Sequence, residues 1–470
     1  MNNPFRHLPS MTKLLEAPGL VAARQRYSQS LITATARAVL AARRAQLAAG
    51  ASGRLDVDSL VADIVACLDA QSQPALRPVI NATGIVLHTN LGRSPLPEEA
   101  ARAAYEAARG YLNLELDLAS GQRSNRQDPI RTELRRLTGA ESATAVNNCA
   151  AATVMALRAV AAGREVIVSR GQLVEIGGSF RIPEVMATSG AILREVGTTN
   201  ITRLSDYERA ITPHTAALMR VHASNYRIRG YTRAVALEQL VELGHRHNLV
   251  VIDDAGSGQM IDLAPFGFPD EPLIPASVAA GADLVLFSGD KLLGGPQCGL
   301  IVGKAELIEK IEKDPLMRAF RLDKMTLAAL EATLRLYRDP ASALAAIPTL
   351  RMLTTPVVQL QARSEALAER LRAIPGLTVD VRDAVAYVGG GSLPDQAIAT
   401  IVLAIGASRW SESTLATRLR TGNPAVMARI QEGQVWLDLR CVREEQEEEL
   451  LAAVRQAVQE ELHPANSPVR

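Results

Sequence analysis

The 470-residue sequence predicts an α/β protein whose centre is a mostly parallel sheet of seven strands. Two observations carry this prediction. Seven short apolar runs recur through the middle of the chain, and most of them are separated by stretches of helical composition. Glycine, aspartate or lysine directly follows several of these runs, where the carboxyl ends of parallel strands place ligand sites. A basic helical segment precedes this region, and a smaller α+β region follows it.

The composition is that of a globular protein in water, with 47% hydrophobic residues, 21% charged residues and a net charge of +1. No apolar run is long enough to span a membrane, and no signal peptide is recognisable, so we expect no membrane partner. The four cysteines, Cys67, Cys149, Cys298 and Cys441, form no CxxC pair. This spacing argues against a metal site and a disulfide framework and favours a cytoplasmic protein with reduced thiols.

The first domain is predicted over residues 1–72 and is helical and basic. Residues 1–54 hold eight basic side chains against one acidic one, Glu16. Helices are expected over 20–49 and 58–70, and a polar, proline-bearing stretch then marks the boundary. The arginines could contact an RNA backbone, or they could be solvated side chains of an oligomerisation module. The candidate RNA contacts are Arg24, Arg26, Arg37, Arg43 and Arg44.

The second domain, residues 73–325, contains the predicted sheet. Its strands are expected at 144–147, 165–169, 191–196, 216–221, 249–253, 283–287 and 299–303. Helices are expected between most of them, for example at 150–162, 236–245 and 272–280. Such crossovers produce a parallel sheet that is covered on both faces.

One lysine is placed as a reactive amine would be. The chain has only six lysines among its 51 lysine and arginine residues. Lys291 alone has an apolar strand before it, ending at Ser288, and a glycine-rich turn after it. Its sequence context suits an amine whose pKa is lowered so that it can attack a carbonyl. The alternative is a strand-end lysine that reaches solvent along its own stem.

Two other strands are followed by residues that could bind a ligand. After the first strand come Asn148, Cys149, Ala150 and Ala151, small residues that open a helix whose free N–H groups could bind phosphate. They could equally be a packed helix start. The fifth strand ends in two carboxylates, of which one could cap the following turn, as expected of Asp253. Asp254 could hold a proton on a bound heterocycle.

A phosphate cradle, an acid and a lysine after successive strands form the layout of fold-type-I pyridoxal phosphate enzymes. Lys291 would form a Schiff base with the cofactor, and Asp254 would keep the pyridine nitrogen protonated. The backbone at Ala150 and Ala151, with Ser288 nearby, would neutralise the phosphate. Two competing motifs fail: the Ser-x-x-Lys at 288–291 lacks the other motifs of penicillin-binding enzymes, and no strand leads into G-x-G-x-x-G.

The third domain, residues 326–470, is predicted to be a small α+β domain. A long helical stretch from Leu322 leads into it. Strands are expected at 377–381, 398–403 and 434–439, and an acidic helix at 443–461. The glutamates of that helix are expected to form a solvated face.

Several long motifs resemble one family, bacterial selenocysteine synthase, the L-seryl-tRNA(Sec) selenium transferases. The resemblance spans nearly the whole chain and departs from the family pattern at Cys149 and at residues 423–425. The matching motifs include LPSMTKLL (8–15), INATGIVLHTNLGRSPL (80–96), NNCAAA (147–152), HASNYRIRGYT (222–232), SGDKLLGGPQCGLIVGK (288–304), DPLMRAFRLDKMTLAALEATL (314–334) and WLDLRCV (436–442).

The resemblance implies a pyridoxal phosphate enzyme that converts seryl-tRNA(Sec) to selenocysteinyl-tRNA(Sec) through an aminoacrylyl intermediate, with selenophosphate as donor. It also implies a homodecamer built from dimers, with active sites at subunit interfaces, and an N-terminal domain that binds the tRNA. Arg93, Arg318 and Arg321 match arginines of the family's active site, and Asp290 matches a carboxylate that matters there. Guanidinium groups suit the oxygens of a compact dianion.

Two alternative functions remain at this point. A pyridoxal phosphate lyase acting on a small amino acid or an amino sugar would share the catalytic core but would commonly lack the tRNA-binding domain. A non-catalytic tRNA-binding protein would not need Lys291, Asp254 and the arginines. The N-terminal LPSMTKLL motif and the basic helix favour the selenium transferase.

Overall fold

A computed structural model describes residues 8–49, 55–72, 74–177 and 180–459. Residues 1–7 and 50–54 of the predicted first domain, residue 73, and residues 460–461 of the predicted acidic helix lie outside the described residues. Among the described helices, none has the length and apolar character needed to cross a bilayer.

The described part of the N-terminal module contains four helices around a small apolar core that includes Leu14, Leu20, Ile32, Leu60 and Ile64. The single helix predicted over 20–49 is wrong, because the chain turns between two helices and both of them pack on the last one. Ser28 begins the longer helix by accepting the N–H of Leu31 at 3.3 Å. The helices are α1 (Met11–Leu15), α2 (Pro18–Ala23), α3 (Gln29–Ala48) and α4 (Val57–Ser72).

The central region alternates helices and strands, as predicted. Its elements are β1 (Val79–Asn81), α5 (Glu98–Arg109), α6 (Asp128–Thr138), β2 (Ser142–Val146), α7 (Cys149–Ala161), β3 (Glu165–Ser169), β4 (Glu175–Ile176), β5 (Phe180–Arg181), α8 (Ile182–Ser189), β6 (Ile192–Val196), α9 (Leu204–Ala210), β7 (Thr215–Val221), α10 (Leu237–Arg246), β8 (Val250–Gly256), α11 (Ile274–Ala279), β9 (Leu284–Ser288), β10 (Gly299–Gly303), α12 (Ala305–Lys313) and α13 (Met317–Phe320).

The seven predicted strands form one sheet in the order β2-β10-β9-β8-β7-β3-β6. All pairs are parallel except the two that involve β10, which runs antiparallel to β2 and β9. Two apolar clusters draw alternate residues from these strands, as a sheet covered on both faces requires. The predicted fold class is therefore confirmed, and the carboxyl ends of β3, β7, β8 and β9 lie side by side.

The C-terminal region is a helix-covered antiparallel sheet in the order β11-β12-β15-β14. Its first two strands are much longer than predicted. The elements are α14 (Lys324–Leu336), α15 (Pro340–Ala346), α16 (Pro348–Thr354), α17 (Val357–Arg372), β11 (Leu377–Gly389), β12 (Ser392–Ala407), α18 (Glu412–Thr421), β13 (Ala425–Met427), β14 (Arg429–Gln431), β15 (Gln434–Asp438) and α19 (Glu447–Gln459).

The acidic residues before and within α19 are mostly exposed, as predicted, but two of them also dock the helix. Glu447 pairs with Arg363 at 2.7 Å, and Glu448 pairs with Arg370 at 2.6 Å. Both arginines lie on α17, so these pairs link the last helix to the helix that covers the small sheet.

Residues 79–88 attach to the C-terminal region, although they precede the central sheet in sequence. β1 pairs in parallel with β13. Beyond it, Tyr387 donates its N–H to the carbonyl of Gly84 at 3.0 Å, and Leu87 donates to Val388 at 2.7 Å. The boundaries proposed at residues 72 and 325 stay predictions, but this segment leaves the C-terminal region to enter the central one.

Candidate active site

Lys291 lies in a hydrogen-bonded turn after the carboxyl end of β9 and is only 5% exposed. Gly295 donates its N–H to the carbonyl of Gly289 at 2.8 Å, and Gly294 donates to Lys291 at 3.0 Å. A side chain at position 289 would lie 2.4 Å from the Cys298 sulfur, so this turn requires glycine. The Nζ of Lys291 donates to the carbonyl of Gly391, which belongs to the β11–β12 hairpin, at 3.4 Å.

Asp254 projects from β8, the neighbour of β9, and is 7% exposed. Its Oδ2 accepts a hydrogen bond from the Thr153 hydroxyl on α7 at 3.3 Å. Burial, and then the nearby Asp253 carboxylate, raise the pKa of Asp254 to about 6. A buried carboxylate of this kind is stabilised by a cationic partner.

Asp253 has a different role from the turn cap expected of it. Both of its carboxylate oxygens accept hydrogen bonds from Arg220 on β7, each at 2.7 Å. This bidentate pair crosses two neighbouring parallel strands. Asp253 is therefore engaged in the structure, and Asp254 is the acid left for a ligand.

The predicted phosphate cradle lies at the start of α7. Asn148 caps the helix, and its side chain accepts the N–H of Ala151 at 2.8 Å, so that N–H is not free. Among the described residues, no hydrogen bond uses the N–H groups of Cys149 and Ala150, as expected in a first helical turn. A Cβ at position 299 would lie 2.0 Å from the Asn148 carbonyl, so glycine there permits the close approach of cradle and β10.

The Cys149 side chain lies near Ser288 and Lys291. Ser288 is the last residue of β9 and is buried. Burial and the charge of Asp254 raise the pKa of the Cys149 thiol, while the Lys291 charge and a hydrogen bond with Ser288 oppose the rise. The thiol therefore stays protonated at neutral pH and is not a nucleophile.

Arg93 reaches the residue next to the lysine. Its Nη1 donates to Oδ2 of Asp290 at 2.8 Å, and Asp290 is 7% exposed. Arg93 has a φ of +62°, which is uncommon for a residue with a side chain, and it follows Gly92 with a φ of +91°. The Nε of Arg93 is buried and has no hydrogen-bond partner among the described residues. It is available to an oxyanion.

Arg318 and Arg321 lie elsewhere in the single chain, in a cleft of about 570 Å³ that also contains Arg123 and Arg126. Burial and the charges of Arg126 and Arg318 lower the pKa of Arg321. The cleft adjoins the cradle, because the N–H of Asn147 donates to the carbonyl of Phe320 at 3.0 Å. The chain thus provides two separate cationic sites, one at Arg93 and one at α13.

The five N-terminal arginines divide into two groups. Arg26 pairs with Asp69 and Arg43 with Asp63, each at 2.6 Å, and Arg24 donates to the carbonyl of Leu15 at 2.9 Å. Within the described part of the chain, Arg37 and Arg44 form no hydrogen bond or ion pair. Both are exposed on α3 and are seven residues apart, so they share one helix face.

The residues around Lys291 fit pyridoxal phosphate. The amine is buried at the end of a strand, and the next strand carries a buried carboxylate that forms no ion pair among the described residues. Two N–H groups at the start of α7 have no hydrogen-bond partner in the described part of the chain and could bind a phosphate. Lys291 would bind the aldehyde carbon, Asp254 the ring nitrogen, and the start of α7 the phosphate. The described residues contain no cluster of side chains suited to a metal ion.

Sequence reasoning missed three contributors to this site. The Thr153 hydroxyl contacts Asp254, and the carbonyl of Gly391 contacts Lys291. Glu271 contacts the β11–β12 hairpin that carries this carbonyl. A helix-spacing argument from Asn148 could have placed Thr153 near the cradle. All three contacts join residues that are at least 100 positions apart, and the other two have no local sequence signal.

The chain matches two family models. One, described as "L-seryl-tRNA selenium transferase", covers residues 79–443, and the other, "Selenocysteine synthase N terminal", covers residues 5–44. The L-seryl-tRNA(Sec) selenium transferase of Solidesulfovibrio magneticus is 48% identical over 477 residues, covering 98% of this chain and 100% of that protein. The protein of the same name from Moorella thermoacetica is 47% identical over 468 residues, covering 99% of each chain.

A solved structure supports the fold. The structure of D-glucosaminate-6-phosphate ammonia-lyase aligns with a TM-score of 0.57 and 23% identity, covering 82% of this chain and 96% of that one. At this identity the likeness concerns the fold alone. The extent and identity of the sequence matches establish that the chain belongs to the L-seryl-tRNA(Sec) selenium transferase family.

Proposed function

We propose that this protein converts L-seryl-tRNA(Sec) to L-selenocysteinyl-tRNA(Sec), with pyridoxal phosphate as cofactor and selenophosphate as selenium donor. One observation carries the proposal. The chain matches the selenium transferase family over residues 79–443, and it holds a buried amine, Lys291, near the Arg93–Asp290 ion pair and the start of α7. In this reaction of selenoprotein biosynthesis the β-hydroxyl of the seryl group leaves as water, and selenium from selenophosphate bonds to the β-carbon while the Se–P bond is hydrolysed to release inorganic phosphate.

Each residue of the site has a task in this reaction. Bound pyridoxal phosphate supplies an aldehyde for the amine and a ring that accepts electrons from the substrate's Cα. The Nζ of Lys291 removes the proton from that carbon. Asp254 holds the proton on the ring nitrogen, and Asp290 keeps Arg93 beside the reacting amine. The free Nε of Arg93 binds an oxygen of selenophosphate.

The alternative, a lyase acting on a small amino acid or amino sugar, shares the fold and the core chemistry. The N-terminal family match over residues 5–44 favours the transferase, because a small substrate needs no basic helical module. The deciding experiment supplies the purified protein with pyridoxal phosphate, seryl-tRNA(Sec) and selenophosphate. We expect selenocysteinyl-tRNA(Sec). Ammonia release from serine or an amino sugar, without any tRNA product, would establish the lyase instead. Parallel reactions with seryl-tRNA(Ser) would measure tRNA discrimination.

The N-terminal module supplies the tRNA contacts in this proposal. Arg37 and Arg44 are the phosphate contacts, because they are exposed on one face of α3 and have no partner among the described residues. Arg24, Arg26 and Arg43 hold the module together through Leu15, Asp69 and Asp63. The sequence-based set of five is thereby divided into two contact residues and three structural ones.

The Arg37→Ala/Arg44→Ala double variant is expected to bind tRNA more weakly and with a flatter salt dependence. Each lost phosphate contact reduces the slope of log K against log salt by about 0.7–0.9. Titration of labelled tRNA at several salt concentrations measures this slope. The control is Arg26→Ala/Arg43→Ala, which should lower the melting temperature of the module and leave the slope nearly unchanged. Equal slopes for wild type and the double variant would exclude Arg37 and Arg44 as contacts.

Self-association completes the proposal, as a homodecamer built from dimers. The chain exposes several large apolar side chains at and after the end of α5. Tyr105 is 62% exposed, Leu118 is 74% exposed and Tyr111 is fully exposed. Such a patch is typical of an interface. An interface would also allow Arg318 and Arg321 of one subunit to approach Lys291 of another, since in one chain they line a separate cleft.

The arginines are expected to act on selenophosphate and not on the cofactor. Alanine at Arg93, Arg318 or Arg321 removes a charge-assisted contact of about 1.5–3 kcal/mol, or roughly ten- to hundredfold in selenium transfer. Cofactor binding, followed by absorbance, should remain. If Arg318 acts across an interface, co-expressed Arg318→Ala and Lys291→Ala chains will regain activity in mixed oligomers. Mixed oligomers no more active than either parent would place Arg318 in its own subunit's site or outside catalysis.

A further inference from the structure

The β11–β12 hairpin ends in an unusual turn, the glycine loop, defined here as residues 389–393. Gly389, Gly390 and Gly391 have φ values of +75°, +62° and +71°, and Leu393 has a φ of +50°. Three successive glycines adopt this region at little cost, but leucine does so only when its surroundings hold it there. The loop therefore depends on contacts from outside the hairpin.

The glycine loop packs closely between the lysine and the β1 extension, defined here as residues 82–88, which follow β1. A Cβ at Gly389 would lie 2.6 Å from the Ile85 side chain, and one at Gly390 would lie 2.8 Å from the carbonyl of Leu87. On its other side, the Gly391 carbonyl accepts the hydrogen bond of the Lys291 amine at 3.4 Å. The loop therefore contacts the Lys291 amine on one side and residues 85–87 on the other.

A glutamate side chain of the central region, that of Glu271, forms a hydrogen bond with the glycine loop. Glu271 lies just before α11, and its side chain is 1% exposed. Its Oε2 accepts the N–H of Leu393 at 3.3 Å and lies 3.5 Å from Nε2 of His222. Its Oε1 is buried without a hydrogen-bond partner among the described residues. Burying a carboxylate is unfavourable unless it accepts hydrogen bonds. Here the Glu271 carboxylate accepts the backbone N–H of Leu393, the one residue of the glycine loop other than glycine that has a positive φ.

We propose that Glu271 is a positioning residue that clamps the glycine loop, so that the Gly391 carbonyl aims the Lys291 amine at the reacting centre. The inference rests on the proposed function in one respect, that Lys291 is the cofactor lysine. Glu271 itself touches neither the amine nor the cofactor site that we describe. Its effect passes from the Leu393 N–H through the backbone of one residue, Ser392, to the Gly391 carbonyl.

The first test follows the loop in the protein without cofactor. Glu271→Leu keeps the volume and removes the acceptor, whereas Glu271→Gln keeps a carbonyl oxygen for the Leu393 N–H. We expect hydrogen–deuterium exchange at Leu393, and modification of Lys291 by an amine-specific reagent, to be about tenfold faster in Glu271→Leu. Glu271→Gln should behave nearly as wild type. The matched control is Glu133→Leu, which removes another buried carboxylate, bonded to Arg338, in a different part of the fold.

The outcomes separate a clamp from a general loss of stability. Faster exchange in Glu271→Leu but not in Glu133→Leu supports the clamp, and equal acceleration in both overturns it. If Glu271→Leu does not fold, the wild-type protein still decides, since the clamp requires the Leu393 amide to exchange more slowly than that of Gly390. An unprotected Leu393 amide overturns the proposal.

A second readout uses the loaded enzyme. Glu271→Leu should lower kcat for selenium transfer about tenfold and leave the KM for seryl-tRNA unchanged, with recovery in Glu271→Gln. A change in KM alone would contradict a role in aiming the amine. The exchange and labelling experiments need no selenium transfer. If the wild-type protein shows no selenium transfer but the exchange and labelling results are as expected, the proposed function is wrong and the role of Glu271 in holding the glycine loop is still supported.

Discussion

Lys291→Ala is expected to abolish selenium transfer and the covalent attachment of pyridoxal phosphate. The amine is the only lysine nitrogen that is buried at the carboxyl end of a central strand, among the residues that the structure describes. Alanine removes both the group that bonds the aldehyde and the base for the Cα proton, so turnover should fall to background. Borohydride reduction of wild type followed by peptide mass spectrometry should find the pyridoxyl group on Lys291.

Lys310→Ala is the control for this experiment. Lys310 is exposed on α12 and far from the glycine-rich turn in sequence, so its loss should change neither cofactor attachment nor turnover. A reduced pyridoxyl group on another lysine of the wild-type protein would contradict the assignment. So would a Lys291→Ala protein that keeps the absorption of lysine-bound cofactor.

Asp254→Asn is expected to reduce turnover by about a hundredfold or more while cofactor remains bound through Lys291 and the cradle. The amide cannot carry the charge that stabilises a proton on the ring nitrogen. Removing one partner of a buried charged pair costs about 3–5 kcal/mol, which corresponds to roughly 10²–10⁴ in rate. Single-turnover rates at saturating cofactor measure the loss. A rate within threefold of wild type would mean that Asp254 does not contact the ring nitrogen.

The same substitution should stabilise the protein without cofactor at neutral pH. The pKa of Asp254 is raised to about 6, above the ordinary 3.8, so the folded state binds the proton more tightly than the unfolded one. The stability that the folded state gains from this tighter proton binding is fully present below about pH 4 and is lost as the pH rises through 6. At pH 7 the buried charge costs about 3 kcal/mol. The free energy of unfolding of Asp254→Asn, relative to wild type, should therefore rise by about that amount between pH 4 and pH 7.

Urea unfolding of both cofactor-free proteins across this range provides the measurement. Thr153→Val is a useful companion, because it removes the hydroxyl that bonds the carboxylate and should strengthen the pH dependence. A stability difference that does not vary with pH would contradict the raised pKa.

The sequence predicted the central sheet well because most of its strands are buried on both faces and read as apolar runs, although the edge strand β6 is largely exposed. β9, with five buried residues, is an example of a buried strand. In the C-terminal sheet, β11 and β12 were predicted too short. β11 alternates buried and exposed residues and has polar positions at Asp380, Arg382 and Asp383, so it does not read as an apolar run. β1 was missed altogether, since it has three residues and its partner lies in β13.

The same distinction applies to the site. Lys291 and Asp254 were predictable because each directly follows an apolar run and has a chemistry that such runs lack. The pairing of Arg93 with Asp290 and the clamp of Glu271 on Leu393 join distant segments. Their existence depends on how the hairpin and the β1 extension dock, and no local pattern encodes that docking.

The attachment of β1 to β13 has a consequence for how the protein is made. The ribosome releases β1 early, but its partner strand emerges only after several hundred further residues have been synthesised. Until then the segment that positions Arg93 has no sheet to join. The candidate site is consequently among the last parts of the molecule to assemble, because forming it requires a contact between segments that are far apart in the sequence. A chain released before residue 425 would carry Lys291 and its sheet without the strand pairing that places Arg93 beside it.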